Sequence, residues 1–297
     1  MKVIIFGGSG FLGSHVADYF FEKKYQITIF DKNRGSYSNK KYTFIKGDIT
    51  DESKVLKSVK GMDLVMNFAG ISDLNYAVNN PKETVQQNIC GNLNILSACK
   101  KNKVKKFIYA SSVYADSEEG GYYKSSKLAS ESYIKEFSKQ NNLSYIILRF
   151  GSIYGPRSDK KNGIYNILFQ IIKKQKLIYF GNPETLREYI HVVDAARATY
   201  EVVKKNYKNK IITLTGKMSI KMKDLLILIG EIINIKNKKI YFENKKYRGH
   251  YILTPHNYNL NENLKYSSEL NVDLGYGIRD MIKLISNELN NAIKKKK

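Results

Sequence analysis

Short apolar runs separated by amphipathic stretches set the pattern of the first half of this chain. Lys2–Phe6, Gln26–Phe30, Tyr42–Lys46, Leu64–Phe68, Phe107–Tyr109 and Tyr145–Leu148 are rich in β-branched and aromatic residues and read as strands. Between them, apolar residues recur at helical spacing in Phe11–Lys24, Glu52–Val59, Lys82–Lys101 and Tyr123–Asn141. Alternation of this kind predicts an α/β fold: a doubly wound parallel sheet with helices on both faces. After Gly151 the alternation loosens. Gly155-Pro156, Gly181-Asn182-Pro183 and Thr254-Pro255 punctuate it, and helical patterns recur at Ile164–Lys174, Asp194–Lys205, Met222–Ile233 and Gly277–Lys294. The expected division is a sheet-bearing domain over residues 1–160 and a smaller one over 161–297, with a strand near Ile211–Leu214 returning to the first sheet.

At 297 residues and 42% hydrophobic content, the chain suits one large domain or two intimately joined ones. No run reaches the ~18 uninterrupted apolar residues of a membrane span. Met1–Phe6 breaks into glycine too soon for a signal peptide. Cys90 and Cys99 share one expected helix without a metal or disulfide pattern, so they read as thiols in a reducing cytoplasm. The formal net charge of +23 raises nucleic acid or anionic membrane as partners. Only seven of the 50 basic residues are arginine, however, and the lysines are dispersed among Asn, Ile and Tyr with no basic–aromatic platform. Neither partner is expected. The field instead draws in small anions such as nucleotide diphosphates.

Chemistry enters with Gly7-Gly8-Ser9-Gly10-Phe11-Leu12-Gly13, which follows the first strand and opens the first helix. In that context the run reads as a dinucleotide-binding loop. Gly7 permits the tight turn, Gly10 lets backbone approach a pyrophosphate, and Gly13 lets the helix pack close to the strand. Phe11 and Leu12 begin the helix whose N-terminus supplies partial positive charge. Asp31, 18 residues after Gly13, ends the second strand, where a carboxylate binds ribose hydroxyls and favours NAD over NADP. Lys32 and Arg34 keep a 2′-phosphate partner in play. Asp48 and Ile49 close the third strand and reach either the adenine edge or, through Asp48, the start of the next helix. Asn67-Phe68-Ala69-Gly70 puts small residues, Ala69 among them, where a cofactor would run. Asn88 reads as a structural hydrogen-bonder, and the four histidines show no metal spacing, so no metal is expected.

Tyr123 and Lys127 lie four residues apart, on one face of an expected helix. A free tyrosine titrates near pH ~10, so a phenolate at neutral pH needs stabilisation of roughly 3–4 kcal/mol. One ammonium ~5 Å away, at an effective dielectric of ~20, supplies about 3 kcal/mol. The spacing alone is uninformative: among 23 tyrosines it also starts at Tyr19, Tyr37, Tyr42, Tyr200 and Tyr241.

Taken together, these motifs resemble those of the extended short-chain dehydrogenase/reductases, the NAD-dependent sugar epimerase/dehydratase family typified by UDP-glucose 4-epimerase. The resemblance runs nearly end to end, through G7-G-S-G-F-L-G13, Asp31, F68-A-G70, N88-I-C-G91, F107-I-Y-A-S-S112, Y123-K-S-S-K127, R149-F-G-S-I-Y-G-P-R157 and R187-E-Y-I-H-V-V-D194. It implies a Rossmann domain with a smaller nucleotide-sugar domain, and a homodimer. It also implies a catalytic serine at the end of the fifth strand, with the tyrosine and lysine of the following helix. That order selects Tyr123 and Lys127 over the other five pairs. Ser112 would bind the sugar oxygen and the tyrosine hydroxyl, with Ser111 as the alternative, and Lys127 would also hold the nicotinamide ribose. Arg187 matches a phosphate contact of the family, and Arg248 offers a second.

The chain departs from the family pattern after the serine, where Val113-Tyr114-Ala115-Asp116-Ser117 replaces V-Y-G and the link to Tyr123 is short. The Asp-Glu pair of the dehydratases is absent beside Ser112, which disfavours a 4,6-dehydratase. The leading expectation is an NAD-dependent nucleotide-sugar epimerase acting at C4. An NAD(P)H-dependent ketosugar reductase is the enzymatic rival, and a non-catalytic RNA- or protein-binding family member is the rival of another class.

Overall fold

A computed structural model describes residues 1–175, 177–234, 240–243, 250, 253, 255 and 263–294. β1 (Lys2–Phe6), α1 (Phe11–Glu22) and β2 (Gln26–Asp31) form the first strand–helix–strand unit. β3 (Thr43–Lys46), α2 (Glu52–Ser58) and β4 (Leu64–Asn67) follow. Next come the short helices α3 (Leu74–Asn79) and α4 (Pro81–Thr84), a π-helical stretch over Val85–Cys90, and α5 (Gly91–Lys101). β5 (Lys106–Ser112) leads through a 3₁₀ turn, Val113–Asp116, into α6 (Gly121–Asn141) and β6 (Ser144–Phe150).

After Phe150 the chain forms β7 (Ser152–Tyr154), α7 (Gly163–Lys174), β8 (Leu177–Phe180), β9 (Leu186–His191) and α8 (Val192–Lys204). β10 (Lys210–Leu214), β11 (Ser219–Lys221), α9 (Met222–Ile233), β12 (Ile240–Glu243), β13 (Asn263–Tyr266) and α10 (Leu274–Lys294) complete the order.

Eight strands make one sheet in the order β13-β10-β6-β5-β4-β1-β2-β3, and every pairing in it is parallel. The inner strands are buried along nearly their whole length, as their continuous apolar runs require when helices cover both faces, whereas the edge strands β3 and β13 are only partly buried. From β1 the chain steps outward through β2 and β3, then restarts on the other side at β4. The switch point therefore lies between β1 and β4, and the carboxyl ends of those strands are where such sheets bind ligands. The core of this unit gathers Ile4, Phe6, Phe30, Val65, Phe107 and Ile147 with the inner faces of α2, α5 and α6.

Two compact units divide the chain. One comprises Met1–Phe150, Ala195–Leu214 and Pro255–Tyr266; the other holds Gly151–Asp194, Thr215–Thr254 and Ser267–Lys297. The first segment thus ends short of the boundary expected at residue 160, because β6 stops at Phe150 and β7 pairs with β9 instead. β10 pairs with β6 in the large sheet, and β13, which the sequence pattern did not indicate, extends it. In the second unit, β7, β9 and β11 form a three-stranded sheet and β12 pairs with β8. Its core is helical: Ile164, Leu168 and Ile171 of α7 meet Leu225 and Ile229 of α9 and Ile278, Met281 and Ile285 of α10.

Local chemistry explains the element ends. Asp51 caps α2 by accepting from the Lys54 N–H, and Asn162 caps α7 by accepting from that of Tyr165. α6 starts behind Gly120 at φ +113° and stops at Asn142 in the left-handed region. Among the described residues no helix is long and apolar enough to cross a membrane, and no group of three or more His, Cys, Asp or Glu could hold a metal.

Phe107 is fully buried in the central strand β5. Its replacement by alanine is expected to cost ~3–5 kcal/mol through lost burial and a residual cavity. Urea unfolding followed by circular dichroism checks this, and a midpoint equal to that of the unaltered protein would place the core elsewhere.

Candidate active site

The glycine loop and the ends of β2, β4 and β5 bring most of the sequence-derived residues to the carboxyl edge of the large sheet. Gly7 leaves β1 at φ +75°, and a Cβ there would come within 2.6 Å of the Ala69 nitrogen. A Cβ on Gly13 would lie 2.3 Å from the Gly7 carbonyl oxygen, so α1 can seat against the loop only without one. Gly10 is the N-cap of α1 and supplies no side-chain cap; no acidic residue occupies the first turn, which Phe11 and Leu12 begin. The helix N-terminus therefore keeps backbone N–H groups and partial positive charge for an anion.

Asp31 ends β2 and its Oδ2 accepts from the Ser9 N–H at 3.0 Å, which ties the carboxylate to the loop. Lys32 is paired with Asp48 at 2.9 Å, and Arg34 lies over the Phe44 ring at 5.5 Å from its centroid. Both cations adjoining Asp31 in sequence are thus engaged elsewhere. Burial would raise the Asp48 pKa, but hydrogen bonds from Thr50 and Lys32 outweigh it and hold the carboxyl at about 2. Asp48 also accepts from Gln87. It does not cap α2, a role taken by Asp51. Ile49 is buried and packs where a Cβ on Gly91 would stand, and its carbonyl accepts from Asn94. Ala69 donates its N–H to the Asn67 side chain just beyond β4.

β5 runs to Ser112, so both serines lie on the strand and alternate in direction. Ser111 donates to Glu131 of α6. Ser112 has no such tie to α6: its Oγ accepts from the Tyr114 N–H at 3.3 Å, capping the 3₁₀ turn. Tyr123 is buried on α6 with the Tyr114 ring edge-on at 6.1 Å. One turn on, Lys127 is buried too. Its ammonium donates to the Ala110 carbonyl at 2.8 Å and lies 4.8 Å from the Tyr109 ring centroid and 5.7 Å from that of Tyr123. Burial lowers the Lys127 pKa to about 8, against the opposing pull of Glu131. A tyrosine and an ammonium one helical turn apart in a dry site are equipped to move a proton.

The sequence read Asn88 as a structural hydrogen-bonder without its partners, and a second arrangement escaped the pattern altogether. Asn88 sits in the π-helical stretch, where its Oδ1 accepts from Ile71 N–H at 2.7 Å and its Nδ2 donates to the Ile71 carbonyl and to Ser126 Oγ of α6. Gly70, at φ +137°, makes room for it: a Cβ would lie 2.5 Å from Asn88 Oδ1. The only signal available was an asparagine on the inner side of a long helix. The second is the buried ion cluster of Arg149 with Glu131 and Asp116. Glu131 follows Tyr123 and Lys127 at spacings of eight and four, so its helix face was readable; its partner on β6 was not.

Arg187 lies on β9 in the second unit and donates to the Leu186 carbonyl at 3.0 Å. Arg248 falls outside the described residues.

Comparison with known proteins follows the same lines. A family described as the NAD dependent epimerase/dehydratase family matches residues 3–214. A putative UDP-glucose 4-epimerase of Methanocaldococcus jannaschii is 30% identical over 262 residues, which are 80% of this chain and 85% of that protein. The UDP-glucose 4-epimerase of Thermotoga maritima, solved with UDP-glucose, has a TM-score of 0.85 at 24% identity, covering 97% of this chain and 100% of that one. The UDP-glucuronic acid 4-epimerase of Bacillus cereus, solved with UDP-glucuronic acid and NAD, gives 0.85 at 23% identity, covering 97% and 99%. These two structures share the fold.

Asn88→Ala removes three hydrogen bonds and leaves the Ile71 backbone groups without that partner. A stability loss of roughly 1–3 kcal/mol or more is expected, with faster amide exchange at Ile71. Unchanged exchange there would show that Asn88 does not hold this loop.

Proposed function

This chain belongs to the NAD dependent epimerase/dehydratase family, and on that premise we propose that it is an NAD-dependent nucleotide-sugar epimerase that inverts C4 of a UDP-sugar. The observation that carries the reading is the buried Tyr123–Lys127 pair on α6, whose lysine donates to the carbonyl of Ala110, two residues before Ser112 on β5. The names of the relatives, UDP-glucose and UDP-glucuronic acid 4-epimerases, support the nucleotide and the carbon.

The residues present fit the dinucleotide. The turn at Gly7, the bare N-terminus of α1 at Gly10 and the close seat at Gly13 suit a pyrophosphate, with Phe11 and Leu12 in the first turn. Asp31 is placed for ribose hydroxyls, and with Lys32 and Arg34 engaged elsewhere it favours NAD over NADP. Asp48 and Ile49 would line the adenine side, Ala69 would lie along the cofactor in the loop beyond β4, and Lys127 would hold the nicotinamide ribose. NAD bound there would accept a hydride from the sugar carbon and return it to the opposite face.

Tyr123, held as phenolate by the Lys127 charge, takes the proton of the C4 hydroxyl as that carbon is oxidised, and gives it back on reduction. Ser112 Oγ hydrogen-bonds the same oxygen and keeps it within reach. Burial of all three excludes water from the proton path. Arg187 is assigned to the diphosphate, with Arg248 as its partner. Asp116, the first acidic residue after Ser112 in the sequence, does not serve dehydration, because it is committed to Arg149. The free Cys90 and Cys99 suit a reducing cytoplasm.

A homodimer accords with the exposed Val85 of the π-helical stretch and Tyr122, Leu128 and Tyr133 of α6, an apolar set that a second copy would cover. Light scattering after gel filtration is expected to give twice the chain mass, and the single-chain mass would remove the dimer.

Tyr123→Phe is expected to abolish turnover while NAD stays bound, whereas Lys127→Ala impairs both. Undiminished activity in Tyr123→Phe would take that residue out of the mechanism. Stoichiometric oxidation of added NADH with substrate would replace the epimerase by a ketosugar reductase.

A further inference from the structure

The buried charges around Lys127 do more than join a helix to a strand. Arg149 on β6 donates from Nε and Nη2 to the two oxygens of Glu131 at 3.0 and 2.6 Å, and from Nη1 to Asp116. Asp116 sits in the turn that follows Ser112, where this chain departs from the family pattern. Glu131 also accepts from Ser111, the neighbour of Ser112 on β5. One guanidinium therefore ties together the strand end, the turn and the helix from which the candidate catalytic groups project. Each side chain of the cluster is nearly fully buried.

The charges are unequal. Two carboxylates against one guanidinium leave a single net negative charge, one helical turn beyond Lys127. The groups that face the Lys127 ammonium are the Ala110 carbonyl and the Tyr109 ring of β5, the Tyr123 ring of α6, and Glu131 of α6, behind which stand Arg149 of β6 and Asp116 of the turn. Ala110 and the aromatic rings offer only partial charge. Among the described residues, the carboxylate whose charge opposes the burial of the lysine is that of Glu131.

We propose that the Asp116–Arg149–Glu131 cluster is a positioning device for the reaction: it keeps the Lys127 ammonium charged in its buried seat and fixes the turn that Ser112 caps. These are positioning residues, acting through Lys127 and the turn. The assignment rests on the catalytic reading of Lys127 given above, but its test does not need turnover.

The test measures the titration of the Lys127 amine by pH-dependent competitive labelling and mass spectrometry, on the full chain as purified. The midpoint in the unaltered protein is expected at about 8. Glu131→Gln, which deletes the nearer charge, is expected to lower the midpoint by about one pH unit, a tenfold fall in proton affinity. Asp116→Asn, which deletes an equal charge farther off, lowers it in the same direction by less. The alkaline limb of the kcat/KM profile should move with the midpoint in each variant. A folded variant with a lower Tm but a midpoint within about 0.2 units of the unaltered protein overturns the proposal and leaves an ordinary structural ion pair. Should Glu131→Gln fail to fold, Asp116→Asn decides alone. Absence of nucleotide-sugar turnover would sink the functional reading without touching this titration.

Discussion

A lysine ammonium held out of water between β5 and α6 is the constraint around which this site is arranged. Burial drives the Lys127 pKa from 10.5 to about 8, which corresponds to a cost on the order of 3 kcal/mol for the charged form. The protein offsets part of that cost with a carbonyl, an aromatic ring and a carboxylate, each supplied by a specific position on the strand or the helix. What remains is a positive charge with little solvent to screen it, beside the ring of Tyr123. The same low polarity that makes the ammonium expensive makes its effect on a phenolate large.

That arrangement depends on the sheet. Parallel strands send all their carboxyl ends to one edge, so the glycine loop after β1, Asp31 at the end of β2, Ala69 after β4 and Ser112 at the end of β5 converge without long loops. Winding outward in two directions from β1 and β4 opens a crevice at that edge. Asn88 then secures it, binding both backbone groups of Ile71 and reaching Ser126 on α6, one position before Lys127. The π-helical stretch around Asn88 fits a pattern in which such local irregularities occur at functional sites.

Much of the fold was legible because parallel strands buried on both faces and amphipathic helices have distinct periods. Lys2–Phe6 and Gln26–Phe30 could be placed to within a residue on that ground alone. Position, not spacing, singled out Tyr123 among six equal candidates. The choice between Ser111 and Ser112 was open in the sequence, because an apolar run does not say where a strand ends. β5 continues to Ser112, and the contact of Ser111 with Glu131 gives the two serines different partners. The Arg149 cluster joins residues 18 and 33 positions apart, and no local pattern encodes such a pairing. In the second unit the helical patterns at Ile164–Lys174 and Met222–Ile233 were legible to within a residue, but the strands were not. Its short strands β7, β9 and β11 pair across long intervals, and their three to six residues are too few for a clear alternation.

The central claim is that hydride leaves a sugar carbon and returns to the same carbon while Tyr123 cycles one proton. Its most direct test follows deuterium at C4 of a panel of UDP-hexoses by proton NMR during turnover. The account predicts a C4-inverted product with the deuterium retained at that carbon and no uptake of solvent hydrogen there. Loss of the label to solvent, or no inversion of any member of the panel, would contradict it.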